Sequence, residues 1–271
     1  MPNNIDLAGK NFWESQWAEV SNIRPIDVTD QSVRNYQRRR YHQLFSNIFS
    51  ALTAKDTRLL ELGCASSFWL PYFAKEFGFK VAGIDYSESG CALERRLFSA
   101  LNISGEVINA DFFAPPEECL EKYDALISFG VAEHFTDTSG CLRAFSRFLK
   151  PGGIIFTLIP NMLGIPGMLA KTMNRPFYDL HMIISAESLA EGHRQAGFIN
   201  VQSEYFTSVN FGVLNNFNGI EKGSAKWVLN KSVVPFLQAI TVFTWFLECT
   251  FTEFKPSKTF SPYIVCTGVK E

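Results

Sequence analysis

Several features that would narrow the class of this chain at once are missing from it. Its six cysteines (Cys64, Cys91, Cys119, Cys141, Cys249 and Cys266) form no C-x-x-C pair and no metal-ligand spacing, so neither a disulfide framework nor a metal site is expected. An excess of one charge is missing too. Twenty-five Lys and Arg against 27 Asp and Glu leave a formal net charge of −2, without the basic excess of a nucleic-acid binder, so no nucleic-acid partner is expected. Residues 1–10 contain Asp6 and no apolar core, which reads as no signal peptide and hence as a reduced, cytoplasmic protein. Long uncharged runs are scarce. Pro151–Ala170 is broken by three Pro and four Gly. Val233–Leu247 is shorter than the ~20 residues a bilayer demands and contains Pro235, so a buried or interfacial helix is predicted there, with peripheral membrane contact but no transmembrane segment. There are no internal repeats and no low-complexity tracts.

What is present is a chain of 271 residues, 46% hydrophobic, with 26 Phe spread along it and a denser set after Val209. That is enough for one or two domains with a real core. From Asp56 onward, short apolar runs alternate with segments of helical period, the pattern of βαβ units around a parallel sheet. The strands predicted are Arg58–Leu62, Lys80–Asp85, Gly105–Asn109, Tyr123–Phe129, Gly153–Ile159, Val201–Ser208 and Tyr263–Val269. Helices are predicted near Val33–Leu52, Phe68–Phe77, Ser87–Leu101, Thr136–Leu149 and Ser185–Ala196. Residues 1–55 read as an N-terminal helical cap and 56–271 as the main domain. Its last two strands are separated by an insertion over about 209–262, long enough to carry helices of its own.

Five short segments carry the chemistry. Leu59-Leu60-Glu61-Leu62-Gly63-Cys64-Ala65-Ser66-Ser67 runs from a strand through small residues into a helix, which lets a ligand approach the backbone and the free N–H groups of a helix start. Val81-Ala82-Gly83-Ile84-Asp85-Tyr86 ends a second strand with a carboxylate about 22 residues after Gly63, where an acid can accept both hydroxyls of a ribose. Asn109-Ala110-Asp111-Phe112 closes the third strand. Tyr123 to His134 forms the fourth, ending Ser128-Phe129-Gly130-Val131-Ala132-Glu133-His134. Leu149-Lys150-Pro151-Gly152-Gly153 turns a helix into the fifth.

In this order the segments resemble the class I S-adenosylmethionine-dependent methyltransferases, over about Asp56–Ser208 plus the last strand. The family's first motif is usually E/D-x-G-x-G-x-G, and this chain departs from it at Ala65 and Ser67. The resemblance implies a seven-stranded, mostly parallel, doubly wound α/β sheet, with S-adenosyl-L-methionine as cofactor. It implies cofactor contacts from Glu61, Gly63, Cys64, Ala65, Asp85, Tyr86, Asp111, Phe112, Ser128 and Phe129. In that scheme Asp85 holds the ribose, Asp111 the adenine amino group, and Ser128–Val131 flank the methyl donor. His134, with Glu133, and His181 are the candidate acid–base residues, against the alternative that Glu133 and His134 only fix their loop; His42 and His193 read as structural. Trp13, Trp17, Tyr36, Arg40 and Tyr41 are expected in the cap over the cofactor, with Tyr36 and Arg40 also touching substrate. Met162, Phe177, Tyr178, Phe211 and Phe217 are expected to wall an acceptor pocket built from the Asn161–His181 loop and a helical hairpin in the insertion.

The function expected is methyl transfer to a small molecule, a hydrophobic, aromatic, sugar or lipid-linked biosynthetic intermediate, by a monomer or homodimer. Three alternatives stay open at this point: a non-catalytic cofactor-binding module, a methyltransferase acting on protein, and a nicotinamide oxidoreductase. Glu61 inside the strand and the single Gly of the first turn disfavour the last.

Overall fold

The computed structural model describes residues 4–18, 25–52, 56–214 and 219–271. Five strands run parallel: β1 (Arg58–Leu62), β2 (Lys80–Asp85), β3 (Gly105–Asn109), β4 (Tyr123–Phe129) and β5 (Leu149–Pro160). With β6 (Phe198–Phe206) and β7 (Tyr263–Lys270) they form one sheet in the order β3-β2-β1-β4-β5-β7-β6, and β7 lies antiparallel to both neighbours. The near-continuous apolar sequence of β1 and β4 requires cover on both faces, because their side chains alternate between two layers. Leu60, Leu62, Ile84 and Leu126 pack with α5 (Thr138–Ser146) and α8 (Ala186–Gln195). Leu59, Val81, Ala125 and Ile127 pack on the other side with α2 (Tyr36–Ile48) and α3 (Trp69–Glu76). The chain order reverses between β1 and β4, so a crevice opens beyond their carboxyl ends.

Strands β1 to β4 have the bounds their sequence predicts. β5 begins earlier, because Leu149 already pairs with Tyr123 before a bulge, and β6 begins at Phe198, directly after the positive-φ turn residue Gly197. α2 belongs to the core rather than to a separable cap: Phe45 is fully buried against Phe73 and Phe156. α1 (Lys10–Ala18) brings Trp13 and Trp17 over the crevice and packs against the start of α4 (Glu88–Leu101).

The expected helical hairpin is instead one long helix. α9 (Ala225–Thr250) follows a single 3-10 turn at Phe211–Leu214, and the chain returns to β7 without a second helix. α9 packs on α6 (Ile165–Met173) and the 3-10 turn through Val234 and Leu237, and polar residues share its buried face with Val234 and Trp245. Asn230, Thr241 and Glu248 face inward: Asn230 donates to the Met173 carbonyl, Thr241 accepts from Phe211 N–H, and Glu248 accepts from Ser208 Oγ and Phe254 N–H. Leu229, Phe236, Ile240, Phe243 and Phe246 face outward, Phe236 with 67% of its surface exposed. α9 is also long and apolar enough to cross a membrane by length and composition.

Candidate active site

The turn after β1 is shaped by close approach. Gly63 has φ +74°, and a Cβ there would stand 2.5 Å from Val131 Cγ2, so only glycine fits. Ser66 adopts the left-handed region as well, at φ +59°. Ser67 Oγ donates to Glu61 at 2.5 Å and accepts from Trp69 N–H at 2.9 Å, tying the strand carboxyl to the start of α3. Asp85 accepts from Ala65 N–H at 3.1 Å through one oxygen and from Ser87 N–H at 2.7 Å through the other. Ser87, not Asp85, caps α4, by accepting from Gly90 N–H. Burial pushes Glu61 up to about 8 and Asp85 up to about 6.

These groups line a cavity of about 570 Å³ that also takes in Tyr86, Asp111, Phe112, Phe129 and Gly130. The N-terminal segment roofs it. Tyr86 donates to Asp6 at 2.7 Å, Leu7 N–H donates to the His134 carbonyl, and Asn4 exchanges two hydrogen bonds with the backbone of Asp137. Glu14 of α1 accepts from Glu88 N–H, Ser89 N–H and Ser89 Oγ, an anion placed on the N-terminus of α4. Trp13 and Trp17, stacked at 5.8 Å, complete the roof.

A second cavity of about 230 Å³ adjoins the first and is almost wholly apolar, with Leu158, Met162, Pro166, Ala170, Phe177 and Val213 among its walls. Its polar lining includes Glu133, His134, His181 and Asn161. The segment after α7 (Arg175–Tyr178) docks on the Glu133–His134 turn, where Met182 N–H donates to the Glu133 carbonyl and His134 Nδ1 lies 2.7 Å from the Leu180 carbonyl. His181 Nδ1 lies 2.9 Å from the Phe177 carbonyl. Burial pushes Glu133 up to about 8, lowers His134, and takes His181 down to about 3 with help from the adjacent His134. Trp13, Gly130 and His134 line both cavities.

A family model described as "methyltransferase domain" matches residues 34–203, well over half of the chain. This chain belongs to the class I S-adenosylmethionine-dependent methyltransferases. A ubiquinone biosynthesis O-methyltransferase of Pseudomonas fluorescens is 29% identical over 150 residues, a match that spans 52% of this chain and 63% of that protein. Among solved structures, the (4+2)-cyclase SpnF aligns over 100% of this chain and 98% of its own at a TM-score of 0.61 and 15% identity. Geranyl diphosphate C-methyltransferase from Streptomyces coelicolor aligns over 97% and 98% at 0.56 and 15%. Likeness at that identity shows the fold alone, since the two names describe different reactions.

The first cavity fits the methyltransferase cofactor. Glu61 and Asp85 are buried acceptors in its wall, and S-adenosyl-L-methionine carries ribose hydroxyls and an ammonium that can donate to them. Eight of the ten residues expected at the cofactor line this cavity: Glu61, Gly63, Ala65, Asp85, Tyr86, Asp111, Phe112 and Phe129. Cys64 does not; it is fully buried behind the turn, filling the space beside Gly83. Ser128 does not either, because it alternates with Phe129 along β4 and its buried Oγ has no partner among the described residues.

Of the substrate residues, Met162 and Phe177 line the second cavity. Tyr178 and Phe211 stand behind its wall, in the apolar cluster under α9. Tyr36 packs on Trp245, and Arg40 pairs with Glu253 and Gln43, so the start of α2 meets α9 and its C-terminal tail rather than an acceptor. Tyr41 is buried against Trp69 and Phe206 instead of roofing the cofactor. Phe217 lies outside the described residues. Sequence reasoning missed Asn4, Asp6 and Asn161. Asn161 donates to the Lys258 and Ser261 carbonyls and pins the end of the insertion to β5; the lone signal for it is a polar residue directly after an apolar strand.

Proposed function

We propose that this methyltransferase transfers a methyl group to a hydroxyl oxygen of an apolar small molecule, aromatic or lipid-linked, held in the second cavity. The observation that carries this is the junction: Trp13, Gly130 and His134 belong to both cavities, so a donor in the first and an acceptor in the second meet there. S-adenosyl-L-methionine supplies an electrophilic methyl group. The protein supplies position and a dry site, which is worth ~7–11 kcal/mol of barrier for a well-oriented displacement. Each carbonyl on Nδ1 can only accept, so both histidines carry their proton on Nδ1 and turn an unprotonated Nε2 to other partners. Both are neutral at pH 7, and each Nε2 is an acceptor able to orient a hydroxyl and take its proton. The O-methyltransferase relative supports oxygen as the atom methylated. A non-catalytic binding module is disfavoured by the second cavity, which a protein that merely holds cofactor does not need.

α9 supports a lipid-linked acceptor. Its outward Phe stripe is flanked by exposed Lys222 before the helix and Lys226 in its first turn, and by Lys255 and Lys258 after it. Apolar surface between cations suits an anionic bilayer surface, and α9 covers α6, which walls the second cavity. Six unpaired cysteines fit a reduced cytoplasmic face. Sedimentation with anionic and with neutral vesicles tests this: the protein should bind the former, and Phe236→Glu with Phe243→Glu should release it. A stable dimer that hides α9, with no vesicle binding, would assign the face to a second copy instead. For the reaction, calorimetric titration with S-adenosyl-L-methionine followed by turnover on phenolic and prenylated phenolic acceptors is the test. Tight cofactor binding with methylation of nitrogen or carbon acceptors alone would overturn the oxygen assignment.

A further inference from the structure

Three titratable groups of the second cavity form an arrangement that a role as base does not explain. Glu133, His134 and His181 are all more than nine-tenths buried, and one ligand atom of each lies within 4.8 Å of the others. Both Nδ1–H groups are committed to backbone carbonyls, so what faces the cluster from each ring is the Nε2 lone pair. Glu133 Oε1 stands 3.9 Å from His134 Nε2, too far for a hydrogen bond, and Oε2 is buried with no partner among the described residues. Two imidazole nitrogens and a carboxyl oxygen therefore converge with no hydrogen bond between Glu133 and His134, an arrangement that a positive ion at their centre satisfies. The rings are held by the edge contacts of Trp13 on His134 and Phe177 on His181, so the lone pairs do not turn away freely.

We infer that Glu133, His134 and His181 form a binding site for one divalent transition-metal cation of the zinc or manganese kind. Two imidazole nitrogens and one carboxylate, each imidazole oriented by a carbonyl on its other nitrogen, are a ligand set for such ions. Ligand atoms around a common ion at ~2.0–2.2 Å lie closer together than 3.9 Å, so the cluster tightens modestly on binding. Three protein ligands leave open positions, and the cluster lines the second cavity. That use of the ion rests on the transfer reading above. An acceptor hydroxyl bound there loses its proton to water more readily. Its oxygen then forms the new bond to the methyl carbon as the methyl–sulfur bond breaks, releasing S-adenosylhomocysteine and the methyl ether. In that case the two histidines serve as ligands and no side chain has to act as base. The spacing of the cysteines gave no hint of such a site, because His181 reaches Glu133 and His134 only through the fold.

Metal analysis of the full chain purified without chelators, followed by cobalt and zinc titration of the chelator-treated protein, tests the site without any turnover. About one ion per chain is expected, with visible cobalt absorption of a nitrogen–oxygen site. Zinc affinity should fall at least ~10-fold in both His181→Gln and Glu133→Gln, with melting curves confirming that the variants fold. No saturable binding by the wild-type protein overturns the site, and so does unchanged affinity in both folded variants. Calorimetry with S-adenosyl-L-methionine on the same samples separates the two readings: cofactor binding without metal removes the ion alone, and metal binding without cofactor removes the transfer reading alone. Chelator-treated enzyme with full turnover, unchanged by added ion, returns the histidines to the role of base and overturns the part of the inference that gives the ion a place in transfer.

Discussion

The two cavities differ in how they are built. The first cavity takes most of its floor from the ends of four strands and the turns that follow: Glu61 and Gly63 at β1, Asp85 and Tyr86 at β2, Asp111 and Phe112 at β3, Phe129 and Gly130 at β4. Each group sits within a few residues of a strand whose apolar run is visible in the sequence. The second cavity is assembled from remote pieces, with Glu133 and His134 after β4, Met162 after β5, His181 after α7, Val213 before α9 and Pro262 before β7. A site that serves one fixed ligand can be written locally on the sheet. A site that selects among acceptors is written in the connections, and connections are where this chain varies from a bare doubly wound sheet.

The largest expected effect breaks the first half of this comparison. Gly63→Val puts side-chain atoms where Val131 already stands and forces a β-branched residue to φ +74°, a combined cost of about 3 kcal/mol or more. Cofactor affinity should be lost beyond measurement by calorimetry, with the remaining helical signal showing that the sheet survives. Next comes the acceptor half. His134→Ala with His181→Ala should cut turnover by ~10²–10⁴, and His181→Ala alone should leave cofactor affinity unchanged, since His181 lines the second cavity and not the first. Equal loss of cofactor binding would merge the two cavities into one site.

Asp85→Ala is expected to weaken the cofactor by roughly 1–3 kcal/mol, the cost of a lost buried acceptor. Asp85→Asn keeps the contact shape, and isothermal titration of both separates charge from geometry. The pH dependence of binding sharpens the same point. Asp85, raised to about 6, ionises to accept the ribose hydroxyls, and Glu61, raised to about 8, ionises to face the cofactor's positive charge, so affinity should climb as pH rises from 6 through 8. A flat profile would mean that neither carboxyl touches the cofactor in its ionised form. The smallest effect concerns the roof. Glu14→Ala removes an anion from the start of α4 and should cost about 1 kcal/mol, read as faster cofactor release with the melting temperature little changed.

Legibility followed the same division. Strands β1 to β4 kept their expected bounds because each is an apolar run closed by a turn residue, and Asp85 was placed by its distance from Gly63. Cys64 and Ser128 do not line the first cavity, because spacing says that a residue is near a site and not which way its side chain turns. Tyr36 and Arg40 were misplaced for a different reason. α2 is buried in the sheet's own core and meets α9 and the tail beyond it, a long-range packing partner that no local pattern announces. α9 itself was legible as an apolar helix but not as one with polar residues on its buried face, because the polar residues it turns inward are satisfied by Met173, Ser208, Phe211 and Phe254, all outside it.

One further buried acid extends the contrast to stability. Glu94 of α4 lies under the cofactor turn with both carboxyl oxygens unpartnered among the described residues, and burial, with Glu61 nearby, pushes it up to about 9. A folded pKa raised above the ordinary value means stability that is full at low pH and is lost as pH rises through about 9. Glu94→Gln should flatten that decline in melting curves taken between pH 5 and pH 9. A decline unchanged by the substitution would assign it to other groups.

The measurement that bears most directly on the account is a crystal structure with S-adenosylhomocysteine bound. The account places the adenosine between Asp85 and Asp111 and the sulfur at the junction of Trp13, Gly130 and His134, pointing into the second cavity. A ligand whose sulfur turns away from that junction, or that occupies the second cavity itself, would contradict it.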